Sequence, residues 1–305
     1  MQPVLERFKS QFEDNGIELV VPKVNERLSE EELLPLVSDI DGAICGDDYF
    51  TKRVLENAPR LKVLVKWGTG IDSFDKKEAR KRGIPIYNTP NAFTHPVADT
   101  VMGYILCFAR RIPWSTEEIR SGSWEKIPCV ALRECTLGII GVGNTGKGVI
   151  KRAVAFGITI LGNDIIDIDP DFIQATEIQV VSKEVLLKSS DFVSLHCDLN
   201  PTSFHLISKK ELSWMKPSAY IINTSRGPVI DEEALIKALL GKQIAGAALD
   251  VFEDEPLPQT SPLRKLNNCL LAPHNANSSP EAWENVHRNS IKNLLKGLGN
   301  KSFNE

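Results

Sequence analysis

The stretch from Thr136 to Asp164 restricts the folds open to this chain more than any other. Thr136-Leu137-Gly138-Ile139-Ile140 is a short apolar run of the kind that forms a buried parallel strand. It enters Gly141-Val142-Gly143-Asn144-Thr145-Gly146 directly, and Lys147 to Phe156 then takes helical spacing. A second apolar run, Ile158 to Leu161, leads to Asp164. In a strand–turn–helix setting each glycine answers a physical need. Gly141 makes the tight turn, Gly143 lets backbone approach a pyrophosphate, and Gly146 lets helix pack closely on strand. Asn144 and Thr145 complete the loop, and the helix N-terminus offers N–H groups and partial positive charge to phosphates. Asp164, about twenty residues beyond, is placed to accept both hydroxyls of an adenosine ribose. A carboxylate there repels a 2′-phosphate, and Ile165-Ile166 supplies no arginine to neutralise one, so NAD is expected over NADP. Glycine-rich turns alone are common; strand, helix and acid together carry the dinucleotide assignment.

A chain of 305 residues is long enough for two domains with well-buried cores. The formal charge of −4 argues against nucleic-acid or anionic-membrane surfaces as partners. The densest basic cluster, Lys76-Lys77 with Arg80-Lys81-Arg82, reads as a solvated helix face. The six cysteines show no CxxC spacing, which suits reduced thiols in a cytoplasmic protein. Met1 to Phe12 has the spacing of an amphipathic helix rather than a signal peptide, and no apolar run is long enough to span a bilayer. No His/Cys/Asp cluster has metal-ligand spacing, so no metal is expected.

Before residue 100 helical and strand patterns alternate, which means a parallel sheet covered by helices. Helix is expected over 4–12, 30–37, 52–57 and 73–82; strand over 17–21, 41–45, 61–66 and 84–87. The chain begins in its first helix where such a domain normally opens with a strand. Residues 91–111 form a long helix apolar on most sides, hence buried, read as the crossing between domains. Residues 113–128 read as a polar excursion. A second βα series starts at Thr136, with further strands at 177–181, 192–196, 219–223, 244–251 and 269–272, a helix at 232–240, and an amphipathic last helix at 280–298. The expected domains are a discontinuous substrate domain, 1–99 with 275–305, and an NAD-binding domain, 100–274.

Three polar groups of complementary kinds follow strands of the second series. Arg226 follows Ile221-Ile222-Asn223-Thr224-Ser225, Glu255 follows Ala248-Leu249-Asp250-Val251-Phe252, and His274 follows Leu270-Leu271-Ala272-Pro273. Ligands of doubly wound sheets bind beyond the carboxyl ends of strands, so the three are expected to meet at the nicotinamide end. Arg226 can fork onto a carboxylate and the neighbouring carbonyl. His274 can give a proton to a developing alkoxide or take one back. Glu255 can orient the ring and stabilise its charged form. His196 ends a strand and is read as structural beside the cofactor; His205 is read as a loop residue.

These pieces, with Gly68-Thr69-Gly70-Ile71-Asp72 and Asn88-Thr89-Pro90-Asn91, make the chain resemble the D-isomer-specific 2-hydroxyacid dehydrogenase family from about Leu61 to His274. The resemblance implies an α/β protein of two doubly wound parallel-sheet domains, a Rossmann NAD-binding domain and a flavodoxin-like substrate domain. It implies interconversion of a 2-oxo acid and a D-2-hydroxy acid, with Arg226, Glu255 and His274 as the catalytic trio. Thr224 and Asp250 would contact the cofactor, Asp250 near the carboxamide. Backbone N–H groups of Thr69 and Gly70 would take the substrate carboxylate, within a substrate loop of Lys66, Trp67, Gly68, Thr69 and Gly70. A homodimer built around the long helix is implied as well.

Some positions depart from the family pattern. Trp67 is bulky where a small residue is usual. Lys66 leaves one cation for a phosphate, whereas Asp47-Asp48 disfavours one. His95 is unusual in its loop, with cofactor, substrate, core and surface all open to it. The alternatives to a simple hydroxyacid dehydrogenase are a phosphoglycerate dehydrogenase-type enzyme and an NAD(H)-responsive, corepressor-like binding protein.

Overall fold

Ten strands form two separate, wholly parallel sheets among the residues that the computed structural model describes, 2–24 and 26–299. The chain divides into two compact units, one running to Phe93 and resuming at Ser279, the other Thr94–Ser278. The breaks thus fall at 93/94 and 278/279 rather than 99/100 and 274/275. Met1 and residues 300–305, assigned by sequence to the substrate domain, lie outside the described residues.

The first unit holds β1 (Gly42–Cys45), β2 (Val63–Lys66) and β3 (Ile86–Tyr87), in that order across the sheet. β2 is central and buried at every position. Its alternation decides the layers. Val63 and Val65 face a cluster with Phe8, Phe12, Ile291, Leu294 and Leu295, most of it from the helix Pro280–Gly297. Leu64 faces another with Val54, Leu55, Phe74 and Ala79. That last helix starts at Ser279, whose hydroxyl caps Ala282 N–H, with Pro280 in the first turn.

The strand expected at 17–21 is not in this sheet. Ile17 and Leu19 do turn toward the Phe8/Phe12 cluster while Val20 and Val21 are exposed, so the alternation is present. A strand also needs a ladder partner, and the structure pairs this segment with none of the described strands. The sheet is therefore a reduced version of the flavodoxin-like layer.

In the second unit β4 (Thr136–Ile140), β5 (Thr159–Asn163), β6 (Gln179–Val180), β7 (Phe192–Leu195), β8 (Tyr220–Asn223), β9 (Gly246–Leu249) and β10 (Cys269–Leu271) form one sheet. Its order is β6-β5-β4-β7-β8-β9-β10, the Rossmann order with one strand added at an edge. Strand order reverses between β4 and β7, which is where a ligand crevice opens. The helix Thr94–Arg110 buries Ala98, Val101, Met102, Ile105, Phe108 and Ala109 against this sheet's core and belongs wholly to this unit.

The excursion after it is partly helical, contrary to expectation: Ile112–Arg120 is a helix with Pro113 in its first turn. It is held by Trp114, whose ring stacks on Phe108 at 5.7 Å and whose indole N–H donates to Asn267 O at 3.2 Å. Its other apolar residues, Ile112 and Ile119, are exposed. No helix of the described residues is long and apolar enough to cross a membrane.

Candidate active site

The turn after β4 is built as its glycines require. Gly141 has a left-handed φ of 92°, and a Cβ there would lie 2.7 Å from the backbone of His196 and Cys197. A Cβ on Gly146 would lie 2.1 Å from Gly141 O, so helix Asn144–Ala153 could not sit this close to the turn with any side chain there. Gly143 faces open space. It precedes a helix end that no side chain caps, which leaves the first-turn N–H groups of Asn144 and Thr145 suited to an anion. Asp164, just past β5, accepts from Val142 N–H at 2.6 Å and Ile166 N–H at 3.1 Å. Its carboxylate is thereby pinned beside the loop.

Two polar atoms at neighbouring strand ends lack partners among the described residues. They are the buried Nδ1 of His196, past β7, and the buried Oγ1 of Thr224, past β8. His196 Nε2 is engaged by Ser194 Oγ at 2.9 Å, and burial lowers the ring's pKa to about 4, so it stays neutral. Orphaned polar atoms are costly, and two of them flanking an open glycine loop suit a polar cofactor. These residues fit NAD: phosphates at the helix N-terminus, ribose at Asp164, and amide or hydroxyl groups at His196 and Thr224.

The three strand-end groups are positioned by backbone. Asn223, buried at the end of β8, accepts Ser225 N–H at 3.0 Å and donates to Arg226 O at 2.9 Å, which folds the turn that presents Arg226. Arg226 Nη1 in turn donates to Ser225 O at 2.9 Å. Next to it, Gly227 lies so close to the loop after β9 that a Cβ would stand 1.9 Å from Phe252 C and O. That loop carries Glu255, whose Oε1 accepts Phe252 N–H at 3.0 Å and whose Oε2 lies 3.0 Å from His274 Nδ1. Both side chains are largely enclosed, at 12% and 21% exposure. His274 itself has a left-handed backbone, φ 51°.

What holds it there is Asp250. The backbone carbonyl of Asp250 accepts His274 N–H at 2.7 Å, and its carboxylate accepts Asn275 N–H at 2.8 Å and Ala276 N–H at 2.9 Å. The carboxyl is 1% exposed; burial raises its pKa and these two donors oppose the rise. Sequence reasoning cast Asp250 as a carboxamide contact and overlooked this anchoring. It also overlooked Gly227 and Asn223, although a glycine directly after a strand-end arginine was a signal for close backbone approach.

In the first unit the loop after β2 is fixed separately. Lys66 is 3% exposed, and its ammonium donates to Gly46 O at 2.6 Å and to the Asp47 carboxylate. The cation that the sequence left for a phosphate is thus already paired. Trp67 Nε1–H donates to His287 Nδ1 at 2.9 Å, and its ring packs on Phe93, Trp283 and His287. Burial lowers His287 to about 4. Gly68 is left-handed (φ 128°), its carbonyl accepts Thr89 N–H at 2.8 Å, and Thr69 O accepts from Asn88 Nδ2 at 2.6 Å. His95 is exposed, with Nδ1 3.2 Å from Arg152 Nη2, and Arg152 also pairs with Asp99. His205 pairs with Glu253 at 2.8 Å.

Comparison with known proteins points to one family. Residues 102–276 match the model for the D-isomer specific 2-hydroxyacid dehydrogenase NAD binding domain. The chain is 40% identical to a glyoxylate reductase of Thermofilum pendens over 280 residues, 88% of this chain and 82% of that one. It is 38% identical to a D-3-phosphoglycerate dehydrogenase of Methanocaldococcus jannaschii over 88% of its own length but only 52% of that protein's. Among solved structures, D-lactate dehydrogenase from Aquifex aeolicus in complex with NAD and lactic acid superimposes with a TM-score of 0.87 at 25% identity, covering 98% of this chain and 93% of that one.

Proposed function

The chain belongs to the D-isomer specific 2-hydroxyacid dehydrogenase family and interconverts a 2-oxo acid and a D-2-hydroxy acid with NAD, and on that premise we propose that His274, Glu255 and Arg226 perform the reaction. Bound NAD supplies the redox chemistry. Arg226 forks onto the substrate carboxylate and carbonyl oxygen, which orients the acid and draws electron density toward the oxygen. His274, with Nδ1 held by Glu255, presents Nε2 for proton transfer. In reduction Nε2–H gives its proton to the carbonyl oxygen, and in oxidation the neutral ring takes it from the hydroxyl. Glu255 fixes the ring plane and stabilises the imidazolium. Asp250 acts through His274, by holding its turn. The loop from Lys66 to Gly70 is assigned to the substrate, with the Thr69 and Gly70 N–H groups for its carboxylate.

The observation that carries this proposal is the 3.0 Å contact between His274 Nδ1 and Glu255 Oε2 at the ends of two strands of the sheet that holds the glycine loop. The test is NADH oxidation by purified protein against a panel of 2-oxo acids, with His274→Ala alongside. The variant should lose about 10²- to 10⁴-fold in kcat while NADH quenches its tryptophan fluorescence as in the parent. Equal turnover in both proteins would remove His274 from the mechanism.

We also assign a homodimer and a cytoplasmic location. Exposed Ile112, Ile119, Trp124 and Val130 along one segment support the first, and six free cysteines support the second. Sedimentation of the parent against an Ile119→Glu, Trp124→Glu double variant tests the dimer; a monomeric parent would end that assignment.

A further inference from the structure

We propose that the acid this chain reduces is unphosphorylated, and that Asp47 enforces the choice by holding the Lys66 ammonium. The inference deepens the function proposed above and rests on the assignment of residues 66–70 to substrate. Relatives of comparable identity are named for acids of both kinds, a glyoxylate reductase and a D-3-phosphoglycerate dehydrogenase, so family membership leaves the question open.

A phosphate monoester carries roughly two negative charges at neutral pH and needs cations or N–H donors to replace its water. The cation at the start of the substrate loop is Lys66, whose Cε lies about one van der Waals contact, 3.8 Å, from where a Gly68 Cβ would stand. Its ammonium points back to Gly46 O and to Asp47 rather than out of the loop, and its side chain is 3% exposed. A buried ammonium stripped of its carboxylate is strongly unfavourable, so Lys66 is not available to a second anion. Asp47 itself is about one-third exposed, at 32%. An arriving phosphate therefore meets the carboxylate before the cation.

Among the described residues of the same turn, the neighbouring groups are already engaged. Asp48 accepts Leu28 N–H at 2.7 Å and Gly46 N–H at 2.8 Å, which fixes a second carboxylate in the same turn. Arg27, beside that turn, lies 4.8 Å over the face of Tyr49. The Trp67 indole N–H is taken by His287, a neutral ring, and its faces are lined by Phe93 and Trp283 at 5.9 and 6.4 Å. A short acid bearing only hydrogen, a methyl or a hydroxymethyl group next to its carbonyl asks nothing of these residues.

The experiment compares kcat/KM for hydroxypyruvate and for its 3-phosphorylated form, with NADH, in the parent and in Asp47→Asn. Like-charge exclusion predicts a preference of at least about tenfold for the unphosphorylated acid in the parent, and a ratio that falls at least about fivefold in Asp47→Asn, where Lys66 is released. Equal or better use of the phosphorylated acid by the parent would overturn the inference while leaving the dehydrogenase intact. An unchanged ratio in a folded Asp47→Asn would overturn the role of Asp47. Should that variant fail to fold, inorganic phosphate is titrated against hydroxypyruvate turnover by the parent, and competition at low millimolar phosphate would count against exclusion. If neither acid, nor any other 2-oxo acid, is turned over, the proposed function falls first and this inference with it.

Discussion

The two units place their functional residues by different means. In the second, Arg226, Glu255 and His274 each stand a few residues beyond a strand, and backbone contacts close their turns: Asn223 for Arg226 and Phe252 for Glu255, both nearby in sequence, and Asp250, past the neighbouring strand β9, for His274. In the first, the residues before Gly68 are held from far away. Trp67 is fixed by His287, 220 residues on, and Lys66 by Gly46 and Asp47, about twenty residues back. The second unit therefore presents its candidate groups through backbone contacts at strand ends, whereas the first fixes Lys66 and Trp67 through their side chains. The first kind of site tolerates little change of backbone; the second tolerates backbone change but is sensitive to single side-chain pairs.

That contrast can be broken most forcefully at Gly227. With Phe252 C only 1.9 Å from a new Cβ, Gly227→Ala should drive the Arg226 and Glu255 loops apart. The expected cost is about 3 kcal/mol of stability or more, and a fall of about a hundredfold in kcat from misplacement. Thermal unfolding and initial rates measure both, and near-normal kinetics would show that the two loops are not one unit.

Acid supplies the next test, with one ring in each unit. His196 and His287 have pKa values lowered from 6.5 to about 4 by burial. Their unfolded forms take up a proton near 6.5, so the stability they confer is complete above that pH and is lost as pH falls toward about 4. At pH 5 the loss is on the order of 1–2 kcal/mol per ring. Urea midpoints at pH 7 and pH 5 should show it, with a smaller drop in His287→Gln; a midpoint unchanged across that range would refute the buried, neutral state of both rings.

Asp164→Ala removes acceptors for Val142 and Ile166 N–H as well as the proposed ribose partner. NADH should bind about ten- to a hundredfold more weakly, with a smaller preference over NADPH, as read by fluorescence titration. The smallest effect belongs to Trp67→Phe, which keeps one aromatic ring but removes the bond to His287 and part of the packing on Phe93, Trp283 and His287. About 1–2 kcal/mol is expected, seen as a shift of several degrees in Tm, and a larger fall would mean that the aromatic cluster is rearranged.

Legibility in the sequence follows the same division. The glycine loop was readable because its spacing between a strand and a helix is itself a pattern, although the backbone that forces Gly141 is that of the distant His196 and Cys197, and helix Glu232–Leu240 because Asp231 caps it through Ala234 N–H. The strand-end trio was readable because strands are short and apolar and their ends are marked. The segment 17–21 misled because alternation records burial of one face and says nothing about a ladder partner. Helix Ile112–Arg120 was missed because its stretch reads as polar and two of its apolar residues, Ile112 and Ile119, face outward. The pairing of Lys66 with Asp47 and of Trp67 with His287 left no trace in local pattern at all.

The tight seat of Gly227 on Phe252 has a consequence for how such a chain can diversify. The loops that carry Arg226 and Glu255, the residues proposed to grip the acid and to orient the histidine, are welded through one glycine, so neither can be retuned by drift without disturbing its counterpart. New substrates are more easily accommodated by exchanging side chains at Asp47, Lys66 and Trp67, whose supports are individual pairs. On the proposed roles, evolvability is partitioned along the chain: a frozen reactive half, and a half where one substitution is expected to change which acid is accepted.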